Sequence, residues 1–304
     1  MFVSPDIRCW IGEAERKLVN SDIALREYNL SPVEFGPKET LGVLNGTAIS
    51  AAAATLAQHQ ADHFIVLAQV VTAMGVEALL GRLDSFDPFF ATVRPHSGQR
   101  EVAVNITAFL KDSQLIRSHD DDKEHRVSGD GKLQQDRYTL RTASQWLGPY
   151  VEDFSYARQQ LEIELNSTTD NPIFNVAEKR VHHGGNFQAV AITSSTEKTR
   201  LGLQMIGKLI FAQSSELLDN RQNNGLPPNL AADEPSLSFT MKGVDINMAA
   251  YMSELAHLGN PVSTHVQSAE MHNQALNSLA LVSARYTHMV GRIGTMFTTN
   301  PRWS

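Results

Sequence analysis

The sequence predicts an all-α protein built as a bundle of long helices. Two observations predict it. Apolar residues recur at helical spacing through several long stretches, and strand-like alternation never persists beyond a few residues. Helices this long and this apolar on several sides must bury against one another. With 304 residues, 42% of them hydrophobic, the chain can enclose a sizeable core. There is no internal repeat.

The elements follow in order. Residues 46–82, rich in Ala and Leu and free of internal proline, predict one long helix. Residues 101–111 form a shorter amphipathic piece, and 146–166 a third helix, with Pro149 near its start where proline is tolerated. Further helices are expected over 186–219, 245–258 and 269–285. Between them, 86–95 reads as a loop around Pro88 and Pro95, and 223–235 holds Pro227, Pro228 and Pro235 and cannot be helical throughout. Residues 118–134, charged and without an apolar face, predict an exposed insertion. The apolar run 64–80 carries Gln69 and Glu77, which favours a core helix over a membrane span.

Composition narrows the function. A net charge of -7 gives no basic face for nucleic acid. The one cysteine, Cys9, excludes an internal disulfide and a thiolate metal cage, and fits a reducing compartment. No HExxH, CxxC, nucleophile elbow or nucleotide-binding glycine loop occurs. The Asp120-Asp121-Asp122 run lacks the spacing of a calcium loop, and His182-His183 is poorly arranged for one metal, so no metal site is expected. The start has no signal-peptide pattern, and a cytoplasmic protein is expected.

Four stretches place polar side chains in apolar helical context. Gly36-Pro37-Lys38-Glu39 precedes Asn45-Gly46-Thr47, a turn into a helix start. In Gln135-Asp136-Arg137-Tyr138-Thr139-Leu140-Arg141, the residues Gln135, Tyr138 and Arg141 are spaced by three and share one side of a helical or 3₁₀ segment. Thr169-Asp170-Asn171-Pro172 leads to His183-Gly184-Gly185-Asn186-Phe187, with Asn171 forced out of the α region and ending the helix before it. Glu270, Asn273, Gln274 and Asn277 fall at i, i+3, i+4 and i+7. On a helix they make one polar stripe, and uncharged amides with a single carboxylate suit a buried hydrogen-bonding wall better than a water face.

These motifs, in this order from about residue 10 to about 286, resemble the aromatic amino-acid lyases, and the Q-D-R-Y stretch with Trp146-Leu147-Gly148-Pro149 resembles the phenylalanine type of fungi. The resemblance implies non-oxidative deamination of L-phenylalanine to trans-cinnamate and ammonia. The implied cofactor is a 4-methylidene-imidazol-5-one (MIO) electrophile formed from an Ala-Ser-Gly triplet. By the same resemblance Tyr138, Asn45 and Glu270 are catalytic: Tyr138 lies near the electrophile, Asn45 bonds its carbonyl region and Glu270 faces the amino group. Gln135, Arg141, Asn171, Phe187, Lys242, Asn273 and Gln274 line the substrate site, with Arg141 on the carboxylate. Tetramers in which each site draws residues from several subunits are implied, with a small aromatic amino acid as ligand and neither nucleic acid nor membrane as partner.

The chain departs from that pattern. No Ala-Ser-Gly occurs, and only 35 residues precede Gly36. The expectation is therefore a partial lyase domain over 1–304, truncated at both ends, with a divergent tail over 286–304 and no activity as an isolated chain. An aminomutase, or a non-catalytic paralogue joining a complete lyase in mixed tetramers, is the alternative.

Overall fold

The structure, a computed structural model, describes residues 7–13, 15–117, 135–234, 236–264 and 268–299, the last six by backbone alone. Strands β1 (Arg8–Ile11) and β2 (Lys17–Asn20) pair antiparallel, Cys9 opposite Val19, and lead into the short helices α1 (Ser21–Glu27) and α2 (Glu39–Leu44). After Asn45-Gly46-Thr47 comes α3 (Ala48–Ala78). Then follow α4 (Pro88–Val93), inside the expected 86–95 loop, and α5 (Ser97–Phe109). Asp87 explains α4: its side chain caps the Phe89 N–H at 2.7 Å, and Pro88 takes the first helical position, where its missing N–H costs nothing.

Beyond the expected insertion at 118–134, which lies outside the described residues, one helical turn, α6 (Tyr138–Arg141), precedes α7 (Ala143–Leu165). A second hairpin pairs β3 (Ile173–Asn175) with β4 (Arg180–His182). Helices α8 (Val190–Leu218), α9 (Val244–Leu258) and α10 (Ala280–Thr299) complete the order. Helix α10 runs unbroken through Tyr286, so the expected tail begins inside a helix.

Helix α8 is the spine, packed against α3, α7, α9 and α10. Small side chains on α3, among them Ala54, Ala57 and Ala61, are fully buried and let neighbouring helices approach closely. The main core joins Val76, Val102, Ile106, Leu147, Phe154 and Ile206, while a second cluster at the other end of the bundle joins Ala51, Ala54, Leu161, Ile192 and Ala284. By length and composition α3 could cross a membrane, yet its Gln58 and Thr72 side chains are buried and hydrogen-bonded to Thr199 and Gln213 of α8. Buried amides answered by a neighbouring helix mark a bundle core.

The expected helix over 269–285 is corrected: 268–279 is not helical. Ala269 and Gln274 exchange backbone bonds at 3.2 Å, and Glu270, Met271 and His272 all have positive φ. The physical reason lies in local side-chain competition. Asn273 donates to the Glu270 carboxylate at 3.2 Å, and Asn277 accepts from the Leu279 N–H at 3.0 Å. Asn277-Ser278 thus marks the start of α10 rather than the middle of a longer helix. The polar stripe of Glu270, Asn273, Gln274 and Asn277 does not exist as a helix face. A second correction concerns Asn171: α7 ends at Leu165, six residues earlier.

Candidate active site

The first pole of the site is α6, whose single turn is held from three sides. Gln213 on α8 donates to the Thr139 carbonyl at 2.9 Å, and the Thr139 hydroxyl bonds the buried Glu216 carboxylate. Arg137 donates to the Gln222 carbonyl at 2.9 Å, and Asp136 accepts the Arg82 N–H at 2.7 Å. Burial pushes the Asp136 carboxyl above the usual range, opposed by that N–H and by the cations of Arg82, Arg117 and Arg141.

Gln135, Tyr138 and Arg141 do come together, but not on one helical face as expected: only Tyr138–Arg141 is helical, and the chain is extended at Arg137. Arg141 donates to the Gln135 side chain at 2.6 Å and lies 5.1 Å from the Tyr138 ring. Its Nε is buried with no partner, and Tyr138 is 72% exposed. These residues, with Ala212, Ser215 and Glu216, line a cavity of about 570 Å³. The guanidinium is half-buried at the wall of this cavity, with Nη1 on Gln135 and the Nε closed off from solvent. Exposed Lys242, just before α9, lies toward the same end of α8, with its ammonium 4.3 Å from the Phe239 ring.

The second pole gathers Asn45, Asn171 and Phe187. Thr169 Oγ1 accepts the Thr47 N–H at 3.1 Å, and a Cβ on Gly46 would sit 2.9 Å from that same oxygen, so a side chain there would displace Thr169. Lys38 pairs with Asp170, which holds that carboxyl below the usual range. Asn171 Oδ1 accepts the Gly184 N–H at 3.1 Å, and Asn186 donates to the Thr168 carbonyl at the same distance. Gln188 donates to the Leu276 carbonyl at 3.1 Å, which brings the loop of Glu270, Asn273 and Gln274 to this end. Asn45, Phe187, Glu270, Asn273 and Gln274 are all exposed, so the buried wall expected of the last three is absent within one chain.

The poles do not meet within one chain. Arg141 precedes α7 and Asn171 follows it; at 1.5 Å per residue that helix of 23 residues separates them by roughly 35 Å. Antiparallel α8 repeats the division, with Glu216 at the Arg141 end and Gln188 at the Asn171 end. The sequence grouped these residues by motif and gave no sign of which end each would occupy. It also left out Asp136, Gln213 and Glu216, which hold α6, although Asp136 stands inside the motif itself.

Residues 8–297 match the aromatic amino acid lyase family. The chain belongs to that family. The match continues past the expected limit at 286. A phenylalanine ammonia-lyase of Aspergillus lentulus is 56% identical over 283 residues, 93% of this chain and 39% of that protein. A phenylalanine aminomutase of Talaromyces islandicus is 53% identical over 276 residues, 91% of this chain and 39% of that protein. The crystal structure of phenylalanine ammonia-lyase from the yeast Rhodosporidium toruloides superposes with a TM-score of 0.91 at 50% identity, covering 97% of this chain and 44% of that one. The chain thus spans about two-fifths of the length of the curated relatives it matches.

Proposed function

We propose that these residues form the substrate pocket of an aromatic amino-acid ammonia-lyase that converts L-phenylalanine to trans-cinnamate and ammonia in the cytoplasm. The observation that carries the reading is Arg141, its guanidinium oriented by Gln135 at the wall of a cavity large enough for an aromatic amino acid. The electrophile of this chemistry, an MIO group, withdraws electrons from the substrate so that ammonia can leave. No Ala-Ser-Gly occurs in the 304 residues, so these residues supply the pocket and not the electrophile.

In the elimination, Arg141 holds the carboxylate with two parallel bonds and fixes the α-carbon. Gln135 keeps the fork oriented, and Tyr138 and Phe187 exclude water around the reacting atoms. Asn171 adds a bond to the carboxylate, and Asn45 would help hold the electrophile. The Glu270 carboxylate takes a proton from the substrate ammonium, with Asn273 and Gln274 setting its place. The β-proton would pass to a base supplied outside these residues; its bonding electrons form the carbon–carbon double bond, the carbon–nitrogen pair goes to nitrogen, and the proton held by Glu270 returns there so that ammonia is released.

Because roughly 35 Å separates Arg141 from Asn171 in one chain, the complete pocket forms between chains, in a homotetramer or a mixed tetramer with a complete paralogue. Large exposed apolar side chains, among them Ile49, Leu56 and Met74 on α3 and Ile246 on α9, support assembly. The test is a chimera in which this chain replaces the matching stretch of the Aspergillus lentulus enzyme. Cinnamate release from phenylalanine supports the proposal, and a folded tetrameric chimera without product refutes it. The near-equal identity to an aminomutase favours β-phenylalanine as the second outcome, separable by chromatography.

A further inference from the structure

The loop carrying Glu270, Asn273 and Gln274 leaves the bundle after α9 and rejoins it at α10. Its described residues form no helix or strand, and Met271 is 100% exposed. Yet both of its ends are tied to one face of α8. Beneath it lies Arg200, 0% exposed, a cation with no access to water. Its Nη1 donates to the Ser283 carbonyl at 2.9 Å and to the Ser283 hydroxyl at 2.6 Å, in the first turn of α10. Its Nη2 donates to the Asn260 carbonyl at 3.4 Å, just past the end of α9. One guanidinium therefore bridges the exit and the return of the loop.

The neighbouring residues complete the clamp. Glu197, 3.5 Å from Arg200, accepts the N–H groups of Val262 and Ser263 at 2.9 and 3.0 Å and the Ser263 hydroxyl at 2.8 Å. Thr196 bonds the Ser283 hydroxyl at 2.6 Å, and the Thr193 hydroxyl donates to the Ser278 carbonyl. Burying a cation is expensive, and replacing it with apolar packing is often as stable. What a planar fork offers and apolar packing does not is a fixed distance between two strands of chain.

We propose that Arg200, with Glu197, is a positioning residue that sets the place of Glu270 by clamping both ends of its loop to α8. The role at Glu270 rests on the lyase reading, while the clamp itself does not. Lysine keeps the charge but, as a single point donor, cannot hold Asn260 and Ser283 together. Glutamine at 197 keeps the shape and removes the charge that gathers the 262–263 amides.

The first experiment is hydrogen exchange on the 304-residue chain. Arg200→Lys should speed amide exchange over 268–279 about tenfold or more and leave α3 and α7 unchanged. Should that variant fail to fold, Glu197→Gln provides the same readout at 260–264. Unchanged exchange in the loop of a folded variant overturns the clamp. The second experiment is kinetic, in the lyase-competent chimera. Arg200→Lys should lower kcat about tenfold with KM within about twofold, and should cost nothing further in a Glu270→Gln background. A full additional loss in that background shows Arg200 acting independently of Glu270 and overturns the positioning role. A chimera that makes no product refutes the lyase reading, and exchange still decides the clamp.

Discussion

Helices α5 and α7 touch backbone to backbone at Gly98 and Gly148, and Gly148→Ala measures how much of the fold rests on that crossing. An added Cβ at 148 would lie 2.5 Å from the Gln99 nitrogen and 2.7 Å from its Cα. Carbon atoms rest at about 3.5–4.0 Å, so α5 must retreat by roughly 1 Å. Both obstacles are backbone, so no side chain can swing aside. The retreat loosens Val102 and Ile106 from Leu147 and Phe154, all in one buried cluster. Overpacking alone costs about 1–3 kcal/mol, and the lost contacts bring the expected total to about 3–4 kcal/mol. In a domain of this size each kcal/mol lowers the midpoint by about 2–4 °C, so a fall of about 6–16 °C is expected in a melt followed by far-ultraviolet circular dichroism. Gly184→Ala is the control: its Cβ meets nothing within 4 Å, and its midpoint should hold or rise slightly. A Gly148→Ala midpoint within about 2 °C of the parent, or an equal fall in the control, would refute the reasoning.

Arg141→Lys in the chimera should lower kcat/KM for phenylalanine by about 30–100-fold, the loss of one arm of a bidentate carboxylate contact; an unchanged ratio removes Arg141 from the carboxylate. Glu152→Gln should cost about 1 kcal/mol in urea unfolding near neutral pH, because Glu152 accepts the Gly98 N–H at 2.8 Å and the Ser97 hydroxyl at 3.0 Å at the start of α5. The Gly98 N–H, more than any other group, holds that carboxyl below its usual 4.5, so its stabilisation is complete above 4.5 and fades as pH falls through the lowered value. A difference between Glu152→Gln and parent that persists well below that pH contradicts the assignment. Asp170→Asn should speed amide exchange over residues 38–45 by releasing Lys38 while leaving the bundle's melting midpoint in place; equal protection in the variant shows that the pair does not anchor this segment.

Long amphipathic patterns made most of the bundle legible. Residues 46–82, 146–166, 186–219 and 245–258 each correspond to a helix within a few residues of the expected bounds, because the burial of one stripe dominates over so many turns. Short-range competition escaped that reading. Around Glu270 the spacing is helical, but Asn273 bonds the Glu270 carboxylate and Asn277 takes the Leu279 N–H, so α10 starts only after Asn277-Ser278. Asp87-Pro88, by contrast, was a cap signal passed over as loop chemistry. Within the site, Gln135 and Arg141 are only six residues apart, so their contact is local, although the extended backbone at Arg137 rather than a helical spacing brings it about. The pairing of Lys38 with Asp170 spans 132 residues, and the bridge from Arg200 to Asn260 and Ser283 depends on how three helices pack, which no local pattern encodes.

Subunit mixing puts the assembly of the pocket to a direct trial. Two chimeras are prepared, one with Arg141→Lys and one with Glu270→Gln, then unfolded and refolded together. If the Arg141 pole of one chain meets the Glu270 pole of another, random assembly leaves about one-quarter of the sites with both residues intact, and activity should recover to about that fraction of the parent. Recovery no greater than the sum of the two separate variants would mean that both residues of each site come from a single chain, against the roughly 35 Å that separates the two poles.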